Sequence, residues 1–574
     1  MNPLSAYIDA VQISRRDLVR SSAAVGGVVA LGGFGLADAA VAGSPALRAT
    51  TPRTVVLGAT TRKVVLGKGS AGAGGYRRVV ARAGESAVVR TGVGAEPKRG
   101  RARRRRALAA FGQMSDVHIC DTESPNRLEN AEAFSSSAYR PNEMLGLHVA
   151  EAMVQQINKV GRGPVTKRPL DFVLQTGDNA DNAQLNEVRW NIDVLDGGTV
   201  RQASGDLTRY EGVMDASDPA YYVADYYHPD GNATGTTDDN YRKTYGFQVI
   251  PGLVAAAGRE FQASGLNVPW YSAMGNHDHL VQGNESPDAT SQAKATGTSK
   301  TFKVGQLPRT VTADPSRRQL GTAEIVEEHF KLVPGAPGPV GHGFTQQNRS
   351  QGTGYYSFDH GKLLRFVVLD TVNQNGDDKG CLSETQLAWL RKVLKASRKR
   401  LVVVASHHTS WTMDSRATGS IDPGRRVQGA EVVKELLRHR NVIAWVNGHT
   451  HSNAILPHPL KKKPKKKGGR ARVVGGFWEI NTASHIDWPQ QARLIEVADN
   501  RDDTLSLFTT MLDHAAPTSY ENLDSPLELA AVARELAAND PQERKEKRGG
   551  VRTARNTELL LPAPKFLRKK KKKK

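Results

Sequence analysis

An α/β fold with a layered sheet is what this sequence predicts, on two patterns and one bulk property. Short apolar, β-rich runs recur along the chain, and most end on a turn bearing Asp, Asn or His. Segments with apolar residues at helical spacing lie between several of them, an alternation that argues for strands packed under helices. A hydrophobic fraction of 39% over 574 residues supports a core of matching size. That length suits one large domain with appendages or two of ordinary size.

The elements follow in order. Leu108–Ser115 reads as a strand delivering Asp116, and Pro141–Val160 as a helix with Met144, Leu147, Val149, Met153, Val154 and Ile157 on its apolar face. Leu170–Thr176 is a buried strand ending on Gly177-Asp178. Asn186–Gly246, polar and Tyr-rich, reads as an insertion. Pro269–Met274 leads into Gly275-Asn276-His277-Asp278, and Gln282–Thr322 is a second surface excursion. Leu363–Leu369 ends at Asp370, and Glu384–Leu394 is helical through Leu387, Leu390 and Leu394. Leu401–Ser406 ends at His407, Val432, Val433, Leu436 and Leu437 mark another helix, and Val442–Val446 delivers Gly448-His449-Thr450-His451.

The termini read differently. Ser14-Arg15-Arg16-Asp17-Leu18 precedes a weakly apolar stretch, and Ala40-Val41-Ala42 before Gly43 fits small-residue cleavage, so residues 1–42 look like a twin-arginine export signal. Leu18 stands where Phe is commonest. The glycines and Asp38 make that stretch a poor membrane anchor. The expectation is an extracellular or cell-envelope protein, with the twin-arginine translocase as a partner during export. Residues 43–106 read as a Gly/Arg-rich segment and linker, with one near-repeat suited to a hairpin. Residues 107–515 form the main domain, and 516–574 a charged, largely disordered tail.

The net charge of +21 is concentrated in three runs, Arg99–Arg106, Lys461–Lys467 and Arg568–Lys574. Such blocks read as solvated linkers and tails. They argue for no specific nucleic-acid partner and leave an anionic cell-surface polymer as the alternative. Cys120 and Cys381 are too few for a zinc ribbon or a disulfide framework, and read as free thiols unless an oxidising compartment pairs them.

Five patches carry the chemistry: Asp116-Val117-His118, Gly177-Asp178-Asn179, Gly275-Asn276-His277-Asp278, His407-His408 and Gly448-His449-Thr450-His451. Any one alone means little. Oxygen and imidazole donors in this number suit hard or borderline cations, and residues two apart on an extended segment point the same way. In order and spacing the set resembles the calcineurin-like metallophosphoesterase superfamily, over roughly Leu108–His514, as an exported bacterial member of actinobacterial type.

The resemblance implies a four-layer sandwich, two packed mixed β-sheets flanked by helices, with inserted surface loops. It implies two metal ions (Fe, Mn or Zn), the first held by Asp116, His118, Asp178 and His451, the second by Asp178, Asn276, His407 and His449. Asp178 would bridge them with one oxygen each. It further implies hydrolysis of phosphate mono- or diesters by a metal-bridging hydroxide, with His277 as general acid and Asp181 as its orienter. Asp278 competes for that orienting role. His408, His485 and Trp488 are candidates for substrate contact. The alternatives are a binding protein on the same scaffold and a pyrophosphate-linkage hydrolase.

Overall fold

The computed structural model describes residues 53–568 apart from 134, 136, 463, 465–470 and 543. The twin-arginine motif, the cleavage site and most of the second and third basic runs lie outside them. Two sheets dominate. The first takes strands β3 (Val88–Arg90), β4 (Arg106–Met114), β5 (Phe172–Thr176), β6 (Trp270–Ala273), β13 (Gln491–Asp499), β14 (Thr504–Asp513) and β15 (Thr557–Pro562) in the order β3-β15-β14-β13-β4-β5-β6. The second takes β7 (Tyr356–His360), β8 (Leu364–Val368), β9 (Leu401–Ala405), β10 (Val442–Asn447), β11 (Ala454–Lys462) and β12 (Arg472–Asn481) in the order β7-β8-β9-β10-β12-β11. A separate hairpin pairs β1 (Val64–Ala71) with β2 (Arg77–Ala83).

Both sheets are mixed. β4, β5 and β6 run parallel, as do β8, β9, β10 and β12; β7, β11, β13, β14 and β15 are joined by antiparallel pairings, and β3 pairs parallel with β15. Central parallel strands are covered on both faces, so Leu401-Val402-Val403-Val404-Ala405 is an unbroken apolar run and every residue in it is buried. The pleat still sorts the side chains. Phe366 and Val403 face the first sheet, whereas Val367, Val402 and Val404 face helices α3 (Glu384–Ala396) and α4 (Gly429–Leu436). Phe111 and Phe172 meet Phe366 edge-on across the interface, with ring centroids 5.3 and 5.0 Å apart. On the far side of the first sheet lie α1 (Gly146–Val160) and α2 (Leu185–Asp196). The architecture is therefore helix, sheet, sheet, helix.

Several expectations need correction. The stretch from 516 on contains α5 (Pro526–Asn539), which packs Ala530 and Ala531 against Ala152 of α1. It also contains β15, whose Leu559 and Leu561 sit in the main core. The charged flanks hid a five-residue buried run. The segment before 107 likewise supplies β3, and two arginines of its basic run, Arg101 and Arg105, bind Glu558 of β15 at 2.8 and 2.7 Å. Those cations are tied to the fold. α2 opens the supposed insertion, yet its Val188, Ile192 and Leu195 belong to the main core. The tyrosines that follow form a second core, in which Tyr227, Tyr241 and Phe247 pack with Tyr76 and Tyr139. Cys120 and Cys381 are buried free thiols. Among the described residues no helix is long and apolar enough to cross a membrane.

If β15 is integral, Leu559→Ala should cost about 2–5 kcal/mol, the usual loss for emptying a buried leucine site. Urea unfolding of the metal-free protein checks this; a loss under ~1 kcal/mol would mark the strand as dispensable.

Candidate metal centre

The five patches converge at the carboxyl ends of the parallel strands of both sheets: Asp116 after β4, Asp178 after β5, Asn276 after β6, His407 after β9 and His449 after β10. Loops there are free of the sheet ladder, and in open α/β sheets this edge is where ligands collect. The backbone there is not the extended segment expected from the sequence. Asp116, His118, Asp178, His449 and His451 all have φ between 50 and 71°. Left-handed φ is uncommon outside glycine and asparagine and persists only where neighbours enforce it. Here they do. The amides of Asp116 and His118 donate to the carbonyls of Gly177 and Asp178 at 3.0 Å each, and the amide of Gly448 donates to the His407 carbonyl at 3.0 Å. The amide of His449 reaches Asp116 Oδ1 at 2.9 Å.

The side chains bring ring nitrogens and carboxylate oxygens together at one point. His118 Nε2 and His451 Nε2 lie 3.1 Å apart, with Asp116 Oδ1 3.4 Å from the latter and Asp178 Oδ2 3.7 Å from the former. Each of these rings has its other nitrogen engaged, His118 Nδ1 with Asp181 Oδ1 at 2.9 Å and His451 Nδ1 with Asp487 Oδ2. Such partners fix the tautomer and leave Nε2 as a donor to a cation. Beside them His407 Nε2 lies 3.0 Å from Asp178 Oδ2 and 3.3 Å from His449 Nδ1, with its own Nδ1 at 2.9 Å from the Thr176 carbonyl. Asn276 follows β6 at the same edge. Its amide nitrogen donates to the Gly283 carbonyl at 3.1 Å, and its Oδ1 is buried and without a hydrogen-bond partner among the described residues. A buried orphan acceptor is costly unless something electropositive meets it. Among the described residues two adjoining donor groups result, Asp116, His118, Asp178 and His451 in one and His407, His408 and His449 in the other, with Asp178 Oδ2 3.0 Å from His407. One detail differs from the expectation of one oxygen for each ion: Asp178 Oδ1 accepts the His277 amide at 2.8 Å, so Oδ2 faces both groups.

A family model described as calcineurin-like phosphoesterase matches residues 109–453, more than half of the chain. The chain belongs to that family. Human tartrate-resistant acid phosphatase type 5 is 26% identical over 197 residues, covering 32% of this chain and 44% of that protein, so the chain spans under half the length of this relative. Two solved structures are also similar. A dimetal phosphatase from Danio rerio has 13% identity, 72% and 100% coverage of this chain and of that one, and a TM-score of 0.31. The calcineurin-like phosphoesterase YfkN from Bacillus subtilis has 10% identity, 76% and 99% coverage, and a TM-score of 0.27.

In this member of the calcineurin-like phosphoesterase family the remaining candidates separate clearly. His277 stands over the His118 ring, centroids 4.5 Å apart, with its side chain 20% exposed. Its Nδ1 is held at 2.7 Å by the backbone carbonyl of Asp181, not by that residue's carboxylate, which goes to His118 and lies 3.3 Å from Arg127. Asp278 is no orienter either. It accepts the amides of Asn179, Ala180 and Gly275 at 2.8–2.9 Å and so pins the Asp178 turn to the Asn276 turn. His408 is fully buried, its ring fixed between Thr371 Oγ1 at 2.8 Å and the Asp378 carbonyl at 3.0 Å. It backs His449 instead of meeting substrate. His485 is buried behind Asp116, with Nδ1 2.9 Å from the Ser115 carbonyl. Trp488 packs away from the site, near Val56, Leu66 and Val79. Neither is placed to line an open substrate surface. The sequence reading missed Asp487 and the two buried arginines, Arg127 and Arg140. Arg140 Nε holds Asp487 Oδ1 at 2.6 Å, and Arg127 also holds Glu143 at 2.8 Å.

Electrostatics follow from this geometry. Burial opposes charge on Asp181 and Asp487, but Arg127 and the His118 bond for the first, and Arg140 for the second, hold both carboxyls well below the ordinary range. Burial likewise opposes a charge on His407, yet the Asp178 carboxylate overcomes it and raises the imidazole to about 9. Burial lowers His277 to about 4.

Two outcomes follow. Without metal the His407–Asp178 pair stabilises the fold below about pH 6.5, the ordinary histidine value, and this contribution is lost as pH rises through about 9. A metal-binding imidazole must be neutral, so loading the metal-free protein at pH 7.5 should release a proton. Calorimetry in buffers of different ionisation enthalpy should show that release fading above about pH 9. Secondly, a Cβ at Gly283 (φ +72°) would lie 2.4 Å from Asn276 Nδ2 and from the His277 ring. Gly283→Ala should therefore lower metal content and activity together, whereas an unchanged metal content would show that the Asn276 amide does not need this anchor.

Proposed function

We propose that this chain is an exported hydrolase of phosphate esters working with two metal ions, Fe, Mn or Zn, held by Asp116, His118, Asp178, Asn276, His407, His449 and His451. The observation that supports the reading is the Asp178 carboxylate standing between two groups of imidazole and carboxylate donors, 3.7 Å from His118 Nε2 and 3.0 Å from His407 Nε2. When bound, a pair of such ions supplies Lewis acidity and makes water nucleophilic near neutral pH. The residues around them do the rest. Asp181 and Asp487 hold Nδ1–H of His118 and His451, so that the neutral rings carry their lone pair on Nε2. Asp278 keeps Asp178 in register with Asn276. The phosphatase named among the relatives supports a phosphate ester as the substrate class.

His277 is the proposed proton donor, acting as an imidazolium. Its Nδ1–H is committed to a carbonyl, so Nε2 is the nitrogen left to hand a proton to a departing alkoxide, and because burial lowers the ring to about 4 the role belongs to acidic pH. The intact donor set favours chemistry over a binding-only role. The pairing of Arg101 and Arg105 with Glu558 also removes two cations of the first basic run from polymer binding. Export rests on Arg15-Arg16 and the small-residue cleavage pattern alone.

Asp178→Asn should lower occupancy of both metals and remove most activity; full activity with unchanged metal content would refute the shared ligand. His277→Ala should keep both metals and reduce turnover by roughly 10²–10⁴ on poor leaving groups, and less on nitrophenolates, which depart without a proton. The ratio of variant to wild-type kcat/KM across leaving groups of graded pKa reads this directly, and a flat ratio would count against proton donation. Replacing Arg15 and Arg16 together by Lys should leave precursor inside the cell; normal secretion would end the export reading.

A further inference from the structure

His451 reaches the metal centre through Nε2 only while Nδ1 is held, and the holder is Asp487 Oδ2. Arg140 grips the other oxygen of that carboxylate through Nε at 2.6 Å and reaches the one His451 uses through Nη2 at 3.5 Å. The oxygen His451 uses has a further neighbour, Nε of Arg548 at 3.6 Å, on a side chain 18% exposed. Arg548 comes from the charged C-terminal stretch, far from every patch in sequence.

The backbone around Arg548 is clamped to the strand exit that follows His451. The Asn453 amide donates to the Arg548 carbonyl at 2.8 Å, and Asn453 stands two residues past His451. Gly550 lies against the same residue with φ +67°, and a Cβ there would fall 2.2 Å from the Asn453 carbonyl oxygen. Arg493 ties the two segments together, with Nη2 on Asn453 Oδ1 at 2.9 Å and Nη1 on the carbonyls of Ala554 and Arg555 at 3.1 and 3.2 Å. Upstream, Arg544 is anchored on the carbonyls of Gly74 and Tyr245 at 2.7 and 2.8 Å. The segment is thus fastened at both ends, with Arg548 between.

We propose that the segment from Arg544 to Arg555 closes the His451 side of the metal centre, and that Arg548 is a positioning residue that fixes His451 through Asp487. The inference rests on the dinuclear reading above. Arg140 holds Oδ1 at 2.6 Å but reaches Oδ2 only at 3.5 Å, so the carboxylate can pivot about the short contact, and a pivot would release the His451 ring. Arg548, 3.6 Å from Oδ2, adds a second cation to the long Arg140 contact and so helps keep that oxygen facing His451. Partners of this kind, once removed, typically cost 10–100-fold in metal affinity.

The test uses the full mature chain loaded with Co²⁺, whose visible spectrum reports ligand geometry. Arg548→Ala should lose one of two ions to a chelator about 10–100 times more readily than wild type. Its cobalt spectrum should change, while the thermal midpoint of the metal-free protein should not. Arg548→Lys should restore part of the affinity, because it keeps the charge. Gly550→Ala leaves Arg548 in place but lifts its segment off Asn453, and should cause the same one-ion loss; with Arg548→Lys it carries the test should Arg548→Ala fail to fold. Wild-type chelation kinetics and an unchanged spectrum in these variants would overturn the inference. Wild-type protein binding fewer than two ions would instead overturn the dinuclear reading beneath it.

Discussion

The carboxylate of Asp178 joins the two sheets at the point where their loops meet. Its Oδ2 faces His407 from one sheet and His118 from the other, and its Oδ1 is capped by the amide of His277. Every neighbouring loop is then positioned against it by backbone hydrogen bonds, from Asp116 to Gly177 and from His118 to Asp178. The left-handed conformations at the metal-binding positions depend on that mutual bracing, since few residues hold such angles unaided. Without metal the His407 imidazole beside Asp178 holds a proton near neutral pH, so a cation binding there must displace it.

Around this centre lies a ring of buried charge that keeps the donors in the right protonation state. Arg127 serves Asp181, Arg140 serves Asp487, and each of these carboxylates serves one histidine. Buried ion pairs seldom add net stability, because desolvation offsets their attraction, but removing one partner leaves a charge stranded at a cost of about 3–5 kcal/mol. These pairs are better understood as fixing geometry than as holding the fold together. The fold is held by the aromatic contact of Phe111 and Phe172 with Phe366, and by the helices on both outer faces.

The termini of the described chain change the shape of the argument. β3, α5 and β15 lie outside the stretch that carries the patches, yet they complete one sheet and cover α1. The same C-terminal region reaches Asn453, two residues past His451 of the candidate metal centre. A domain boundary drawn from composition at residue 515 would have cut through the site's own support.

What the sequence by itself determined was the order of strands and helices and the identity of the donors. Apolar runs ending on Asp116, Asp178, Asn276, His407 and His449 need only local patterning to be seen, because period and turn chemistry are properties of neighbouring residues. Asp487 could have been suspected, since it lay in a polar patch beside a strand, but nothing local ranks it above His485 or Trp488. Only the tertiary structure decided which of these met His451, that Asp181 reaches His277 by its carbonyl, that Asp278 is a brace, and that Thr557–Pro562 is a strand. Each depends on contacts between residues far apart in the chain, some by hundreds of positions, where side-chain direction is set by packing and composition carries no information about it.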